Sequence, residues 1–153
     1  MNSNPKVFDS PIGWVKSHIR QYVATNGKKG HNWRGLQTLL LTTVGRKSGK
    51  LRRTALIYGQ DGSDYLVIAS NGGAVQHPNW YLNLAKTPAV EVQVGADKFT
   101  AQARTAPAAE KPRLWRLMTK IFPQYDEYQT KASKAGRDIP VVILKHIENN
   151  GKD

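Results

Sequence analysis

Leu39-Leu40-Leu41-Thr42-Thr43-Val44-Gly45-Arg46-Lys47-Ser48-Gly49-Lys50-Leu51-Arg52-Arg53-Thr54-Ala55-Leu56-Ile57-Tyr58 is the stretch on which the fold is decided. Residues 39–44 are aliphatic and β-branched, too few for a helix, and Gly45 stops them; residues 54–58 repeat the pattern. Between the two runs, nine residues hold two glycines, five cations and one hydroxyl. Such a pair of runs reads as two antiparallel strands whose connection is a concentrated positive charge.

Toward the C-terminus the same grammar continues. Asp61-Gly62 makes a turn, residues 65–69 a strand, and Ser70-Asn71-Gly72-Gly73 breaks it. Pro78 precedes a short helix over 79–86, ended by Thr87-Pro88. Val90, Val92 and Val94 alternate with polar residues, Gly95-Ala96-Asp97 turns, and residues 99–103 return. Pro107 opens a helix carrying Leu114, Trp115, Leu117, Met118 and Ile121; Pro123 interrupts it, a second helix follows over 125–134, and residues 139–147 form the last strand. Toward the N-terminus, Ser10-Pro11 caps a helix whose apolar stripe is Ile12, Val15, Ile19, Tyr22 and Val23, with Lys16 and Arg20 off it. The reading is mainly β with helices: a six-stranded antiparallel barrel with helices at its rim. It divides into an N-terminal amphipathic helix and basic loop, residues 1–35, and a barrel domain, residues 36–153. No strand–glycine loop–helix unit marks a Rossmann or P-loop site.

Composition narrows the function. The 153 residues carry a net charge of +12, and between Asp9 and Asp61 there are ten cations and no acid, a field that attracts nucleic acid, acidic lipid or a polyanionic small molecule. The absence of cysteine excludes disulfides and thiol chemistry and suits a reducing cytoplasm. Neither a membrane span nor a signal-peptide core is expected. The four histidines lack metal-ligand spacing, so no metal site is expected.

Three segments can carry chemistry. In the first, 45–53, glycines let successive N–H groups converge on an anion, while its arginines offer forked donors for phosphate oxygens and Ser48 adds a neutral one. Strand alternation puts Arg52 and Thr54 on one face and Arg53 and Ala55 on the other, so one arginine of the two faces a given site. In the second, Ser70 to Gly73 ends a strand where a flat ring can approach the backbone; His77, Trp80 and Tyr81 follow, the aromatics also suiting a core and the histidine a loop. In the third, Tyr125 and Tyr128 share a helical face and form a lid with hydroxyls inward.

These segments together resemble the deazaflavin-dependent nitroreductase family, mycobacterial F-420-dependent oxidoreductases that activate nitroimidazole prodrugs. The resemblance lies in Leu40 to Gly49, Ala69-Ser70-Asn71-Gly72-Gly73-Ala74, Pro78-Asn79-Trp80-Tyr81-Leu82-Asn83-Leu84 and Phe122-Pro123-Gln124-Tyr125-Asp126-Glu127-Tyr128-Gln129. It implies a split β-barrel, like that of FMN-binding oxidases, holding coenzyme F-420 without covalent attachment. Carried over by position, Arg46, Lys47, Ser48 and Arg52 would hold the phosphate and glutamyl tail. Arg53, Thr54, Ala55, Leu56, Ile57, Ile68, Ala69, Ser70, Asn71, Asn79, Trp80, Tyr81, Leu82 and Asn83 would cradle the deazaflavin and its ribityl chain. Ser70, Tyr125 and Tyr128 would face the substrate as catalytic groups. Phe122 stands where the prodrug-activating pattern has tyrosine, and Asn71 where it has lysine, with Lys50 or Arg53 as a substitute charge.

The implied function is hydride transfer from reduced F-420 to a small organic acceptor: a quinone, an enone or a nitro compound. The alternatives are an FMN-binding split-barrel oxidoreductase and a basic nucleic-acid-binding module, the ordered motifs arguing against a nucleic-acid partner. The N-terminal helix, with Lys16, Arg20, Lys28 and Lys29, is compatible with peripheral contact with acidic lipid at the inner face of the cell membrane, or with simple packing on the barrel.

Overall fold

The computed structural model describes residues 6–147. Within them the chain forms β1 (Val7–Asp9), α1 (Gly13–Ala24), β2 (Asn32–Trp33), β3 (Leu36–Val44), β4 (Leu51–Ile57), β5 (Gly59–Asp61) and β6 (Asp64–Ile68). A 3-10 turn (Asn71–Gly73) leads to α2 (Asn79–Lys86), β7 (Ala89–Val94), β8 (Asp97–Thr105), α3 (Lys111–Ile121), α4 (Gln124–Lys134) and β9 (Val141–His146). The result is a mixed α+β fold around one nine-stranded sheet of order β1-β4-β3-β7-β8-β9-β6-β5, with β2 attached to β3. Among the described residues only β1 and β4 run parallel.

Register assigns each side chain to a face. Leu39, Leu41 and Thr43 of β3 stand opposite Leu56, Thr54 and Arg52 of β4, while Leu40 and Thr42 stand opposite Ala55 and Arg53. Directly paired residues share a face, and successive residues alternate. On the first face Leu39 and Leu41 join Val67, Val92, Val142 and Leu144 in the main core. On the second, Leu40 and Ala55 pack against Val15, Ile19 and Tyr22 of α1. A third cluster lies under α3 and α4, where Leu114, Met118 and Ala132 meet Leu66, Ile68, Val141 and Ile143. Both β6 and β9 therefore serve two cores at once, which is why their sequences are continuously apolar rather than alternating.

All six expected strands are present. Three more are added, each too short to leave a periodic signal: β1, β2 and β5. The last continues β4 after the single residue Tyr58. Helix α1 starts at Gly13 rather than Pro11, and Ile12 and Val23 are 57% and 38% exposed, so its buried stripe is Val15, Ile19 and Tyr22. Helix α3 begins at Lys111, four residues after Pro107. Of the two-part division at residues 35 and 36, the ends 1–5 and 148–153 lie outside the described residues. Among the described residues, no helix is long and apolar enough to cross a membrane.

Candidate functional site

The turn between β3 and β4 is closed by its own backbone. Gly45 N–H donates to the Lys50 carbonyl at 2.7 Å and Gly49 N–H to the Gly45 carbonyl at 2.8 Å. Gly49 has φ +74°, and a Cβ on Gly45 would lie 2.8 Å from Ser48 Oγ. Ser48 Oγ accepts from Lys50 N–H at 3.1 Å, which leaves its own O–H free to donate outward. Helix α2 clamps this turn through residues at helical spacing. Asn83 Oδ1 accepts from Arg46 N–H at 3.1 Å and from Arg46 Nη1 at 3.0 Å. Asn79 Oδ1 accepts from Nη2 at 3.4 Å, and Lys86 Nζ donates to the Arg46 carbonyl at 3.3 Å. Asn83 is buried and donates to Thr43 Oγ1 at 3.2 Å. Arg46 is thus fixed in place by neutral acceptors, and part of its five-donor fork stays unspent.

Arg52 and Arg53 diverge as alternation requires. Arg53, on the α1 face, is engaged by Asp9 through Nε–Oδ1 at 2.6 Å and Nη2–Oδ2 at 3.3 Å. Arg52 shares the face of Thr43 and has no carboxylate partner among the described residues. With Lys6 and Lys50 it surrounds the Phe8 ring, the three cations lying 5.0 to 5.5 Å from the centroid.

Beyond the turn the sheet forks. The β5–β6 ladder pairs Asp61 with Asp64, Gln60 with Tyr65 and Gly59 with Leu66, then stops. Continued in register, it would set Ile57 against Ile68, Leu56 against Ala69, Ala55 against Ser70 and Thr54 against Asn71. No such pairs form, and β1 already ends opposite Arg53. The edge of β4 over residues 54–57 that faces away from β3 therefore has no strand partner among the described residues, and its backbone groups need another one. Ala55 packs under α1 and the Ile68 side chain enters the third core, so around the fork it is backbone more than side chain that is on offer.

The loop after β6 is left-handed at Asn71 (φ +49°), Gly72 (+62°) and Gly73 (+80°). A Cβ on Gly73 would fall 2.6 Å from the Tyr128 carbonyl, so this loop lies directly on α4. Asn71 Nδ2 is spent on the Gln76 carbonyl at 2.9 Å. Tyr125 is buried beside Phe122, Tyr128 and Trp115. The hydroxyls of Ser70, Tyr125 and Tyr128 have no hydrogen-bond partner among the described residues, yet no buried side-chain oxygen or nitrogen there lacks one. None of the three oxygens is therefore completely enclosed, although Tyr125 as a residue is only 5% exposed. Burial pushes the Tyr125 hydroxyl above its ordinary pKa, so it is a neutral donor. Trp80 and Tyr81 pack partly against the main core, and the Tyr81 hydroxyl lies 2.8 Å from Thr105 Oγ1.

A cleft of about 680 Å³ separates the cationic turn from this loop. Arg46, Lys47, Asn79 and Leu82 line one wall; Gln76, His77, Arg137 and Asp138 belong to the other. Its size suits a cofactor, and its unspent cationic donors suit one that carries phosphate or carboxylate groups. Of the residues singled out by sequence, Arg46, Lys47, Asn79 and Leu82 meet here; Asn83 stands behind Arg46, while Arg53 and Ala55 lie on the opposite face of the sheet. Sequence reasoning missed Lys86 and Arg137 and left His77 as a loop residue. A lone arginine between Gly136 and Asp138 carries no local signal that it will be buried. Among the described residues no cluster of His, Asp and Glu suits a metal.

The chain resembles proteins that are already known. Residues 14–146 match the model of the F420H(2)-dependent quinone reductase family. An F420H(2)-dependent quinone reductase of Mycobacterium tuberculosis is 38% identical over 134 residues, covering 85% of this chain and 88% of that protein. A solved F420-H2 dependent reductase, FDR-A, is 38% identical with a TM-score of 0.64, over 71% of this chain and 93% of that one. Another solved chain, described as a domain-swapped dimer, is 34% identical with a TM-score of 0.67, over 89% of this chain and all of that one.

Proposed function

The chain belongs to the F420H(2)-dependent quinone reductase family, and we propose that its cleft and forked sheet together hold coenzyme F-420 against a quinone-type acceptor. The protein is an F420-dependent oxidoreductase. When bound, the coenzyme supplies a deazaflavin ring that carries hydride; the chain supplies binding, orientation and protons.

The observation that carries the reading is the fork, with its mouth beside unneutralised cations. Segment β4–β5 pairs with β3 at one end and with β6 at the other, interrupted only at Tyr58. Counted as one strand, it closes β3, β7, β8, β9 and β6 into a six-stranded split barrel whose split is the fork. In this reading the unpaired backbone of Thr54, Ala55, Leu56 and Ile57, with Ile68, Ala69, Ser70 and Asn71 opposite, borders the ring. Arg46, Lys47, Ser48 and Arg52 hold the phosphate and glutamyl tail. Asn79 and Asn83 act through Arg46, and Trp80, Tyr81 and Leu82 fix α2. The free hydroxyls of Ser70, Tyr125 and Tyr128 orient the acceptor and donate a proton to it, directly or through water. The barrel domain is residues 36–153. Residues 1–35 add exposed Ile12 and Trp14 beside Lys16 and Arg20, a surface suited to peripheral contact with acidic lipid, from which a lipid-soluble quinone would be drawn.

Fluorescence titration with oxidised F-420, run in parallel with FMN, tests this. Wild type should bind F-420 in preference to FMN. Neutralising Arg46, Lys47 and Arg52 together should weaken binding by about a thousandfold or more, at roughly 1.5–3 kcal/mol per charge-assisted bond. Unchanged affinity in that variant would place the anionic tail elsewhere.

A further inference from the structure

Arg137 is only 7% exposed, yet it makes no ion pair among the described residues. Its guanidinium donates instead to three carbonyls of the loop after β6: Ala74 at 2.8 Å, Ala69 at 3.2 Å and Ser70 at 2.6 Å. Its Nη1 also lies 3.1 Å from His77 Nδ1. Arginine can only donate, so His77 Nδ1 must accept, and the imidazole proton resides on Nε2. Burial and the neighbouring Arg137 charge both lower the His77 pKa, in keeping with a neutral ring. Nε2 itself has no partner among the described residues, where no buried side-chain nitrogen lacks one, so this N–H opens outward. His77 lines the cleft opposite Arg46 and Lys47, with its ring 4.9 Å from that of Tyr81.

We infer that Arg137 is a positioning residue that locks His77 in the Nε2–H tautomer, and that this N–H donates to an acceptor oxygen of the coenzyme held in the cleft. The inference rests on the coenzyme reading above and adds a recognition element on the wall facing the cationic turn. A neutral donor is the useful kind there, because it adds direction to a site that already has charge. The same guanidinium fixes the carbonyls of Ala69 and Ser70, so one buried side chain sets both the histidine and the Ser70 loop.

Nitrogen-15 NMR of histidine-labelled wild type reads the tautomer directly. His77 Nδ1 should appear as an unprotonated acceptor and Nε2 as protonated, with the Nε2 proton shifted and protected from exchange on addition of oxidised F-420. His77→Asn keeps an acceptor where Nδ1 sits but removes the ε donor; it should raise the F-420 Kd about five- to thirtyfold. His77→Gln, which can place an N–H near the ε position, should recover part of that loss. Arg137→Gln, whose amide can either donate to Nδ1 or accept from it, should let both His77 tautomers appear in the spectrum, which a purely structural arginine would not cause. A wild-type His77 protonated at Nδ1, or a His77→Asn variant that binds F-420 as tightly as wild type, overturns the inference and leaves the coenzyme reading standing. Failure of wild type to bind F-420 overturns both.

Discussion

Asn83→Asp separates holding Arg46 from leaving its charge available. The aspartate has the same size and keeps an oxygen for Arg46 N–H and Nη1, now 3.1 and 3.0 Å from Asn83 Oδ1. Thr43, which accepts from Asn83 Nδ2, can turn its hydroxyl proton toward the new oxygen. The clamp survives, and the desolvation of a buried carboxylate is offset by an ion pair with Arg46. Binding should suffer all the same. An anion on the outer side of the guanidinium would sit about 7 Å from the new carboxylate, a repulsion of roughly 2 kcal/mol at an effective dielectric near 20. That corresponds to about a thirtyfold rise in Kd at low salt, falling toward about tenfold or less as salt screens the pair. Asn83→Leu is the contrast: it strands Arg46 N–H and should cost about 2–4 kcal/mol of stability along with affinity. F-420 titrations at two salt concentrations, paired with thermal melts, distinguish the two variants. An Asn83→Asp protein that melts like wild type and binds F-420 equally well would show that no anion rests on Arg46.

Arg52→Gln should weaken F-420 binding by about tenfold or more, whereas Arg53→Gln should leave Kd within about twofold and lower stability by roughly 1 kcal/mol through loss of the Asp9 pair; equal effects on Kd would contradict the assignment of faces. Gly73→Ala should destabilise by about 2–4 kcal/mol in urea melts, from left-handed strain plus collision with the Tyr128 carbonyl; a neutral result would mean that the loop does not lie on α4. Burial, then the charges of Tyr65 and Tyr22, push the Tyr58 pKa up to about 12. Because the unfolded hydroxyl releases its proton near pH 10, stability should be full below that pH and fall as pH rises toward 12. Tyr58→Phe should flatten that window, as read by urea midpoints across it.

Much of this architecture is written locally. The strand–turn–strand of residues 39–58 follows from apolar runs and glycines, and helix α2 falls on Asn79–Lys86 because Pro78 and Pro88 bound it. The divergence of Arg52 and Arg53 needs nothing beyond strand alternation. What could not be read is relational. The fork depends on where the β5–β6 ladder stops, and nothing in the β4 sequence announces that its ladder will not be completed. Asn83 looks like a ligand-binding amide in sequence; only the packing of α2 on the turn shows it facing Arg46 from behind. Arg137 is separated by 60 residues from His77, and its burial follows from the loop carbonyls that converge on it.

The partners chosen for the arginines say what the cleft is for. Away from it, Arg53, Arg104 and Arg113 are matched with Asp9, Glu110 and Asp61, while Arg20, Arg34 and Arg116, without a carboxylate partner among the described residues, are exposed to water. Inside it, Arg46 is held by two asparagine amides and approached by a lysine, and Arg137 by carbonyls and a neutral imidazole. A carboxylate would hold either guanidinium more strongly than an amide does. Asp138, although on the cleft wall, pairs with neither. Neutral partners fix geometry without cancelling charge, so the field of the turn stays available, at a cost in self-repulsion that a bound anion removes. The empty protein is then less stable than it could be by an amount that ligand binding restores, and binding and folding stability should rise together as the polyanionic coenzyme is added.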